Sequence, residues 1–371
     1  MKEARKLLMT ILEIPSVNSK DDEGAVAEYL AEYFQRYQIP AEVQRLDTTH
    51  ANVVAFIPGR EEGKTVIWNG HLDTVPYGNI AEWSSMPGKV MEKDGRLYAR
   101  GASDMKSGLA AMVYALTHID GKPRCSIQFI GTCDEEKNGL GASEIIRSAK
   151  MRNSDSILIG EPTGMKLGIA QKGCLWLEMN IKGKTSHGAY PQEGISAIHQ
   201  GIAIAEKVKQ FVEQFSSDML GASTAQITMI QGGVAMNMTA DECVIRMDIR
   251  MVPGLTTEMV LQTAAQVLKE EQKTRDGLDG EFTVLNDRRA IEISKEHPMT
   301  AELRSLLKKH GYAGNYTGIN FFTDASVLDR EGEKNILLFG PGDASMAHKP
   351  NEYVELEKYY DAIQILTELI Q

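Results

Sequence analysis

Histidines and acidic residues follow several short apolar segments of this 371-residue chain. His71 and Asp73 stand two positions apart in "WNGHLDTVP", directly after the β-branched run "TVIW". Imidazole nitrogens and carboxylate oxygens are ligands that suit zinc, cobalt or manganese. Comparable positions after other apolar runs hold Glu135 and Glu136 in "GTCDEEKNGLGA", Glu161 in "GEPT", and His348 in "GPGDASMAHKPNE".

A shared location at the ends of strands would bring these side chains together. In open α/β sheets, ligands bind in the crevice outside the carboxyl ends of the strands. Asp104, in "ARGASDMKSGLAA", lies at a glycine-containing turn before a helical pattern that begins at Lys106. Its carboxylate could cap that helix, or it could bridge two cations.

Each residue also has an ordinary structural interpretation. His71 and Asp73 could form a polar turn. Glu135 and Glu136 could lie in a solvated loop, and His348 could be a simple loop residue. Two histidines and several carboxylates at strand ends, without a cysteine among them, together favour a metal site that is not a structural thiolate site.

The elements that would position these residues form two groups along the chain. The runs "NVVAFIP", "TVIWNG", "SIQFIGT" and "SILIGEP" alternate with helical patterns at 22–37 and 106–118, which predicts an α/β sheet with helices on both faces. Residues 174–287 follow a βαββαβ order, typical of a ferredoxin-like unit. We therefore expect one domain formed by 1–173 and 288–371, interrupted by an inserted domain.

Charge and composition disfavour several classes of partner. With 40 basic and 51 acidic side chains, the formal net charge is −11, and no dense Lys/Arg block occurs, so we expect no nucleic acid and no membrane as partner. No apolar run is long enough to span a bilayer. The four cysteines lack CxxC spacing, as expected for reduced thiols. A small-molecule substrate and a cytoplasmic location are the expectation.

The order of seven motifs resembles the dinuclear metallopeptidase and deacylase family that includes acetylornithine deacetylase, succinyl-diaminopimelate desuccinylase, carboxypeptidase G and the aminoacylases. The motifs are "GHLDTVP", "ARGASDMKSG", "GTCDEEKNGLGA", "GEPT", "GKTSHGAYPQEGISAI", "MDIR" and "AHKPNE". The resemblance covers the whole chain. It implies a zinc-exopeptidase-like α/β catalytic domain with a central mixed sheet, and an inserted ferredoxin-like α+β domain that serves as a dimerisation (lid) domain.

The resemblance also implies two divalent metal ions per subunit, Zn²⁺ first, with Co²⁺ or Mn²⁺ as alternatives. His71 and Glu161 would bind one ion. Glu136 and His348 would bind the other, and Asp104 would bridge the two. Such a pair of ions can polarise a scissile carbonyl.

Catalytic roles follow from the same resemblance. Glu135 would be the general base, which takes a proton from water and delivers it to the leaving nitrogen. Asp73 would fix the ring of His71 and raise its basicity. His187, in "GKTSHGAYP", would reach the partner subunit's active site and stabilise the oxyanion; alternatively, it is a solvent-facing loop histidine.

Three residues are candidates for binding the substrate. Arg250, in "IRMDIRM", would pair with a substrate carboxylate in bidentate geometry, or it could form an ordinary ion pair on an edge strand. Asn237, in "AMNMTADE", is a further candidate contact. Thr323, in "TGINFFTDASVL", would belong to a substrate-binding loop, and Thr323 or Asp324 could equally cap a helix.

These interpretations predict a metal-dependent amidohydrolase that removes an N-acyl group from an amino acid or related small carboxylate, as acetylornithine deacetylases and succinyl-diaminopimelate desuccinylases do. The alternative within this class is a dipeptidase or carboxypeptidase that uses the same two-metal site. An alternative of another class is a catalytically silent metal-dependent binding protein, but no expected ligand or base is missing. A homodimer through the inserted domain is also expected.

Overall fold

The computed structural model of the protein describes residues 1–329 and 331–371, and the chain divides into two compact units. Unit 1 comprises Met1–Ile169, Ile293–Thr317 and Thr323–Gln371, and unit 2 comprises Ala170–Glu292 and Gly318–Phe322. These boundaries lie a few residues from the junctions at 173 and 288 that the sequence suggests.

One short segment departs from the expected division of the chain. Residues 318–322, expected in the catalytic domain, belong to unit 2. The backbone N–H of Lys172 donates to Ile319 O at 2.9 Å. This hydrogen bond attaches the segment to unit 2, so spatial pairing rather than chain order decides its membership.

The helices bury apolar stripes that recur at helical spacing. Helix α3, "KSGLAAMVYALT", is apolar on most of its surface, and nearly all of its residues are buried. None of the helices in the described part of the chain combines the length and the apolar character needed to cross a membrane. The helices are α1 (Lys2–Glu13), α2 (Gly24–Arg36), α3 (Lys106–Thr117), α4 (Leu140–Arg147), α5 (Ala197–Val212), α6 (Thr257–Gln272), α7 (Pro298–Lys309), α8 (Ala325–Leu328) and α9 (Leu356–Ile370).

Along the chain, the strands alternate with these helices in unit 1, and in unit 2 they precede and follow α5 and α6. Several are very short, and β7, "SILI", is buried along its whole length. The strands are β1 (Ala41–Arg45), β2 (Ala51–Ile57), β3 (Glu61–His71), β4 (Met91–Lys93), β5 (Arg96–Tyr98), β6 (Cys125–Thr132), β7 (Ser156–Ile159), β8 (Leu167–Gln171), β9 (Gly173–Lys182), β10 (Ser216–Ser217), β11 (Gly221–Ala222), β12 (Thr224–Gly232), β13 (Glu242–Met251), β14 (Asp279–Arg288), β15 (Ile291–Glu292), β16 (Tyr316–Ile319), β17 (Asn335–Leu338) and β18 (Tyr353–Glu355).

The central sheet of unit 1 has the strand order β1-β2-β6-β3-β7-β17-β8. The neighbours β6-β3, β3-β7 and β7-β17 pair in parallel, whereas β1-β2, β2-β6 and β17-β8 pair antiparallel. The sheet is therefore mixed, as predicted. The carboxyl ends of β3, β6, β7 and β17 meet at one edge, where ligands bind in such sheets.

Unit 2 contains an antiparallel sheet of order β12-β13-β9-β14. Helices α5 and α6 connect its strands, and one face of β9 and β13 contributes to an apolar core with them. The core side chains from β9 are Leu175, Leu177, Met179 and Ile181, at the alternate spacing of a strand with one buried face. This order and connectivity is the predicted ferredoxin-like arrangement.

Candidate metal centre

His71 is the last residue of β3 and pairs with Thr132 of β6. The His71 side chain is buried, and its Nδ1 lies 3.0 Å from the backbone carbonyl of Asp73. Because a carbonyl can only accept, Nδ1 carries the hydrogen and donates it. The other ring nitrogen, Nε2, lies 3.2 Å from Asp104 Oδ1, so it faces the side on which a metal ion would bind.

Asp104 lies in the turn that precedes α3 and faces two histidines. Its Oδ1 is 3.2 Å from His71 Nε2, and its Oδ2 is 3.5 Å from His348 Nε2. The N-cap residue of α3 is Met105, and no side chain caps this helix. Helix capping therefore does not explain the Asp104 carboxylate, which lies between the histidines with one oxygen toward each.

Close packing between α3 and the end of β7 brings Asp104 near Glu161. A Cβ atom on Gly108 would lie only 1.8 Å from Gly160 O, so glycine is required for this approach. Glu161 follows directly after Gly160 and is buried. One helix turn therefore places two candidate ligands from different elements side by side.

His348 lies in the loop after β17 and contacts Glu136. Its Nε2 is 3.2 Å from Glu136 Oε1 and 3.0 Å from Oε2. The His348 side chain is about half exposed, at 53%, whereas that of Glu136 is 8% exposed. This part of the centre is thus open to solvent on the histidine side.

Two groups of three potential ligands result, and Asp104 belongs to both. His71, Asp104 and Glu161 form a fully buried group, and Asp104, Glu136 and His348 form a more exposed one. Within each group, one ligand atom from each residue lies within 4.8 Å of the others. This grouping is the one that the order of the motifs implied, with Asp104 shared by the two groups.

Electrostatics at the centre favour a bound cation. Burial is the main cause that raises the pKa of Glu135, Glu136 and Glu161, and neighbouring carboxylates add to it. Burial would also raise the pKa of Asp104, but hydrogen bonds to two histidines hold it below its ordinary value. Hydrogen bonds to Asp104 and Glu136 raise the pKa of His348 to about 10. Divalent cations would offset the repulsion among these carboxylates, so the residues fit such ions.

Glu135 is buried beside these groups but belongs to neither. Its backbone N–H, like that of Glu136, donates to the Asp73 carboxylate, at 3.1 and 3.2 Å. The adjacent glutamates are therefore held by their backbones. The Glu136 carboxylate faces His348, which leaves the Glu135 carboxylate for another task.

The contact between Asp73 and His71 differs from the expected one. The Asp73 carboxylate lies 3.7 Å from His71 Nδ1, beyond hydrogen-bond distance, and the backbone carbonyl of Asp73 takes its place. The carboxylate is engaged elsewhere, because it accepts N–H groups from Glu135, Glu136 and Asn18. Asp73 thus orients the ring, but through its main chain.

Glu352 is not among the predicted site residues, but it holds the turn that carries Asp104. Glu352 is fully buried. Its Oε2 accepts from Arg100 Nη1 at 2.7 Å and Gly101 N at 3.1 Å, and its Oε1 accepts from Ser103 N at 2.8 Å and Asp104 N at 3.0 Å. The only signal in the sequence is an acidic residue four positions after His348 in "AHKPNE".

The unit 2 candidates lie on its surface or in its sheet. His187 is exposed, with Nδ1 accepting from Ala189 N at 3.1 Å. Asn237 is exposed, and its carbonyl accepts from Gly188 N at 2.8 Å. Arg250 lies on β13, between β12 and β9, so it is not on an edge strand.

Arg250 forms the ion pair that the alternative interpretation expected. Its Nε and Nη2 donate to the two oxygens of Asp248 at 2.7 and 3.0 Å. The guanidinium also lies 5.7 Å from the ring centroid of Phe322. In unit 1, Thr323 Oγ1 accepts from Ala325 N at 3.2 Å. The N-cap residue of α8 is Asp324, which makes no side-chain capping hydrogen bond.

Comparison with known proteins identifies the family. Residues 67–371 match the model of peptidase family M20/M25/M40, and the chain belongs to this family. It is 26% identical to a probable succinyl-diaminopimelate desuccinylase of Staphylococcus aureus strain N315, over 99% of this chain and 96% of the relative. It is 28% identical to an acetylornithine deacetylase of Buchnera aphidicola, over 99% and 97% of the two chains.

Solved structures support the same fold. A tripeptidase from Staphylococcus aureus matches with a TM-score of 0.79 and 20% identity, over 100% of this chain and 97% of the other. A Bacillus subtilis protein described as a dinuclear metal-binding peptidase of the M20 family matches with a TM-score of 0.73 and 16% identity, over 99% and 96%. These findings confirm the resemblance and the fold class, and the chain is an enzyme of a hydrolase family.

Proposed function

We propose that the protein is a metal-dependent amidohydrolase that cleaves the N-acyl amide bond of an amino acid or related small carboxylate. The observation that carries this proposal is the position of Glu135. It is buried next to two groups of metal ligands that share Asp104, yet it belongs to neither. A carboxylate in this position can move protons while its neighbour, Glu136, binds a cation.

One divalent ion in each group of ligands is part of the proposal. His71, Asp104 and Glu161 would hold the buried ion, and Asp104, Glu136 and His348 would hold the exposed one. The nitrogen and oxygen ligands suit Zn²⁺ first, with Co²⁺ or Mn²⁺ as alternatives. When bound, such ions supply Lewis-acid polarisation of the scissile carbonyl and lower the pKa of the attacking water.

Protein residues would carry the proton transfers and bind the substrate. Glu135 would take the proton from the attacking water and deliver it to the leaving nitrogen. Arg250 would bind the substrate's free carboxylate, and Asn237 and Thr323 would add polar contacts. His187 would stabilise the oxyanion of the tetrahedral intermediate in the partner subunit's active site.

The names of the relatives support a deacylase, and those of the structural neighbours keep a peptidase as the alternative. The curated relatives are named desuccinylase and deacetylase. The neighbours include a tripeptidase and a metallo-carboxypeptidase from Sulfolobus solfataricus. A peptide bond is an amide as well, so the same groups could act in a dipeptidase or carboxypeptidase.

A substrate panel tests the proposal. The protein is loaded in turn with Zn²⁺, Co²⁺ and Mn²⁺ and assayed against N-acetyl and N-succinyl amino acids and dipeptides, with identification of the products. Release of an acyl group supports the deacylase, and release of amino acids from dipeptides supports the alternative. No hydrolysis of any substrate by protein that contains two metal ions per chain would refute both.

A cytoplasmic homodimer completes the proposal. Strand β12 is at the edge of the unit 2 sheet, where it exposes Met229 and Ile230. Val234 and Met236 in the following loop are also exposed. Apolar side chains at an open edge strand support pairing with a second copy, and the net charge of −11 supports neither nucleic acid nor an anionic membrane as a partner.

A further inference from the structure

A side-chain amide from the N-terminal segment lies behind the candidate metal centre, outside the residues that match the family. Asn18 lies between α1 and α2 and is buried. Its Nδ2 is 3.0 Å from Asp73 Oδ2, 3.0 Å from Asp134 Oδ1 and 3.2 Å from Glu23 Oε1. These three carboxylates are buried as well, so one amide is the shared donor of an acidic cluster.

The backbone fixes the direction in which this amide points. Asn18 N donates to Thr74 O at 2.8 Å, and Thr74 N donates to Ser16 O at 2.9 Å. The side-chain oxygen of Asn18 accepts from Ser19 Oγ at 2.9 Å. Because Thr74 directly follows Asp73, this pairing places the amide N–H groups against the Asp73 carboxylate.

Two of the carboxylates that Asn18 contacts hold the loop with the proposed base. Asp73 accepts the backbone N–H groups of Glu135 and Glu136. Asp134 directly precedes Glu135, and its Oδ2 accepts from Leu140 N at 3.2 Å, at the start of α4. Asn18 therefore contacts two carboxylates that each accept hydrogen bonds from the backbone of this loop. Asp73 accepts at the start of the loop, and Asp134 accepts at its end.

The Asn18 amide has as many N–H groups as there are carboxylates at 3.0 Å from its nitrogen, namely those of Asp73 and Asp134. Burial, followed by the charge of Asp73, raises the pKa of Glu23 to about 9, so this carboxyl group carries a proton near neutral pH. The side-chain amide of Asn18 has two hydrogens to donate. Asp73 and Asp134 lie 3.0 Å from it, closer than Glu23.

We infer that Asn18 is a positioning residue that holds the Asp73 carboxylate, and through it the backbone of Glu135, in the arrangement required for hydrolysis. The inference rests on the proposed function, because it assigns Asn18 a task in that reaction. The inference requires that the side chain at position 18 donates an N–H group to the buried carboxylates. A side chain that only fills the volume would leave the buried carboxylates without that donor.

Three substitutions distinguish a donor from a space filler. Asn18→Ala removes the donor and the volume, Asn18→Leu restores the volume without a donor, and Asn18→Asp adds a further acidic group to the cluster. We expect Asn18→Ala and Asn18→Leu to lower kcat by about 10- to 100-fold, with little change in KM or metal content. Asn18→Asp should lower kcat more than either, because like charges repel in a buried cluster.

Matched controls come from an asparagine at the opposite end of the parallel strands. Asn335 is the first residue of β17, and its Nδ2 donates to Asp155 O at 3.1 Å. Asn335→Ala and Asn335→Asp should leave kcat unchanged. Hydrogen exchange of the Glu135 and Glu136 amides provides a measurement that needs no substrate, and it should accelerate in Asn18→Ala and Asn18→Leu.

The outcomes separate this inference from the proposed function. If the wild type hydrolyses a substrate but Asn18→Leu or Asn18→Asp is more active than Asn18→Ala, volume is what matters and the inference is wrong. Wild-type kcat in Asn18→Ala would refute it as well. If the wild type hydrolyses nothing, the proposed function fails, and the amide exchange decides alone: unchanged rates in Asn18→Leu would overturn the inference.

Discussion

The backbone N–H of Glu135 donates a hydrogen bond of 3.1 Å to Asp73 Oδ1. The same aspartate accepts the His71 Nδ1–H through its backbone carbonyl at 3.0 Å. One residue at the end of β3 therefore orients a proposed metal ligand with its main chain and a proposed general base with its side chain. A change at Asp73 would disturb both at once, so the two functions must be separated at Glu135 and at the ligands.

Glu135→Gln should abolish turnover without loss of metal. Glutamine keeps the shape of the side chain and the backbone hydrogen bond to Asp73, but it cannot accept the proton from water. We expect kcat to fall by about 10²- to 10⁴-fold, while metal analysis still finds the wild-type number of ions per chain. Glu92→Gln, at a surface ion pair with Arg5, is the control, and wild-type turnover in Glu135→Gln would remove Glu135 from the base role.

Glu352→Gln should weaken metal binding. The Glu352 carboxylate accepts four hydrogen bonds from the turn that carries Asp104, and a glutamine amide group would direct N–H groups at some of these donors. Leaving them unpaired costs about 1–3 kcal/mol, so the turn should loosen around Asp104. Metal titration followed by calorimetry should show lower affinity, most clearly for the exposed group of ligands, which includes His348 from the same loop.

A neighbouring glutamate supplies the control for Glu352. Glu355 pairs with Arg96 and Lys358 and is partly exposed, so Glu355→Gln should bind metal as the wild type does. Equal metal affinity in Glu352→Gln and Glu355→Gln would show that the carboxylate of Glu352 does not support the ligands.

Glu23 should make the free energy of unfolding depend on pH. Its pKa in the folded protein is about 9, above the ordinary value of 4.5. The folded state therefore holds this proton more tightly than the unfolded state between these two values. The contribution of Glu23 is fully favourable below about pH 4.5 and is lost as pH rises toward 9.

Glu23→Gln removes this titration. The free energy of unfolding of the variant, relative to that of the wild type, should rise with pH, by at most about 1.4 kcal/mol per pH unit. Urea unfolding at pH 6 and pH 8 measures the difference, with Gln35→Ala on the exposed face of α2 as a control without a titrating group. A difference that stays constant between the two pH values would contradict the assignment of a raised pKa to Glu23.

The fold class could be predicted from the sequence because apolar periodicity indicates which faces of the helices and strands are buried. The pattern predicted a helix at 106–118, and α3 spans Lys106–Thr117. The βαββαβ order likewise predicted the topology of unit 2. Helix α4 (Leu140–Arg147) and the three-residue strands β4, β5 and β18 were not predicted, because such short elements without a continuous apolar run give too little periodicity to read.

The candidate ligands other than Asp104 could be predicted for a different reason, which is that each follows an apolar run that ends at the same edge of the central sheet. Asn18 and Glu352 gave no such signal, since their contacts depend on how distant segments pack. The sequence also could not specify that Asp73 contacts His71 with its carbonyl rather than its carboxylate. That choice follows from the three N–H donors that occupy the carboxylate in the folded protein.

Arg250→Ala should reduce activity only toward substrates with a free carboxylate. Asp248 holds the guanidinium at 2.7 and 3.0 Å. This contact fixes the orientation of the N–H groups that would bind the carboxylate of the substrate. We expect kcat/KM to fall about 30-fold or more, equivalent to about 2 kcal/mol. For a substrate with a carboxamide in place of the carboxylate, kcat/KM should change little.

A second arginine on the same strand controls for the loss of positive charge. Arg246 lies on β13 and pairs with Glu178 at 2.7 Å, and Arg246→Ala should behave as the wild type with both substrates. If Arg250→Ala reduced the activity toward the acid and the carboxamide equally, Arg250 would not bind the carboxylate.

Ile230→Lys should dissociate the proposed dimer. Ile230 lies on the edge strand β12 and is 48% exposed, so a lysine there costs little in a monomer but places charges together where two edges pair. Sedimentation velocity should give a dimer for the wild type and a monomer for the variant. Ile146→Lys, at an isoleucine of α4 that is 42% exposed, should remain dimeric.

Activity of the Ile230→Lys monomer then tests the role of His187. If His187 completes the partner subunit's active site, the monomer should lose about 10²- to 10³-fold in kcat, the usual cost of removing one oxyanion donor. His187→Ala should lower kcat to a similar extent while the protein stays dimeric. A monomer with full activity would contradict the contribution across the interface, and a wild type that sediments as a monomer would refute the dimer itself.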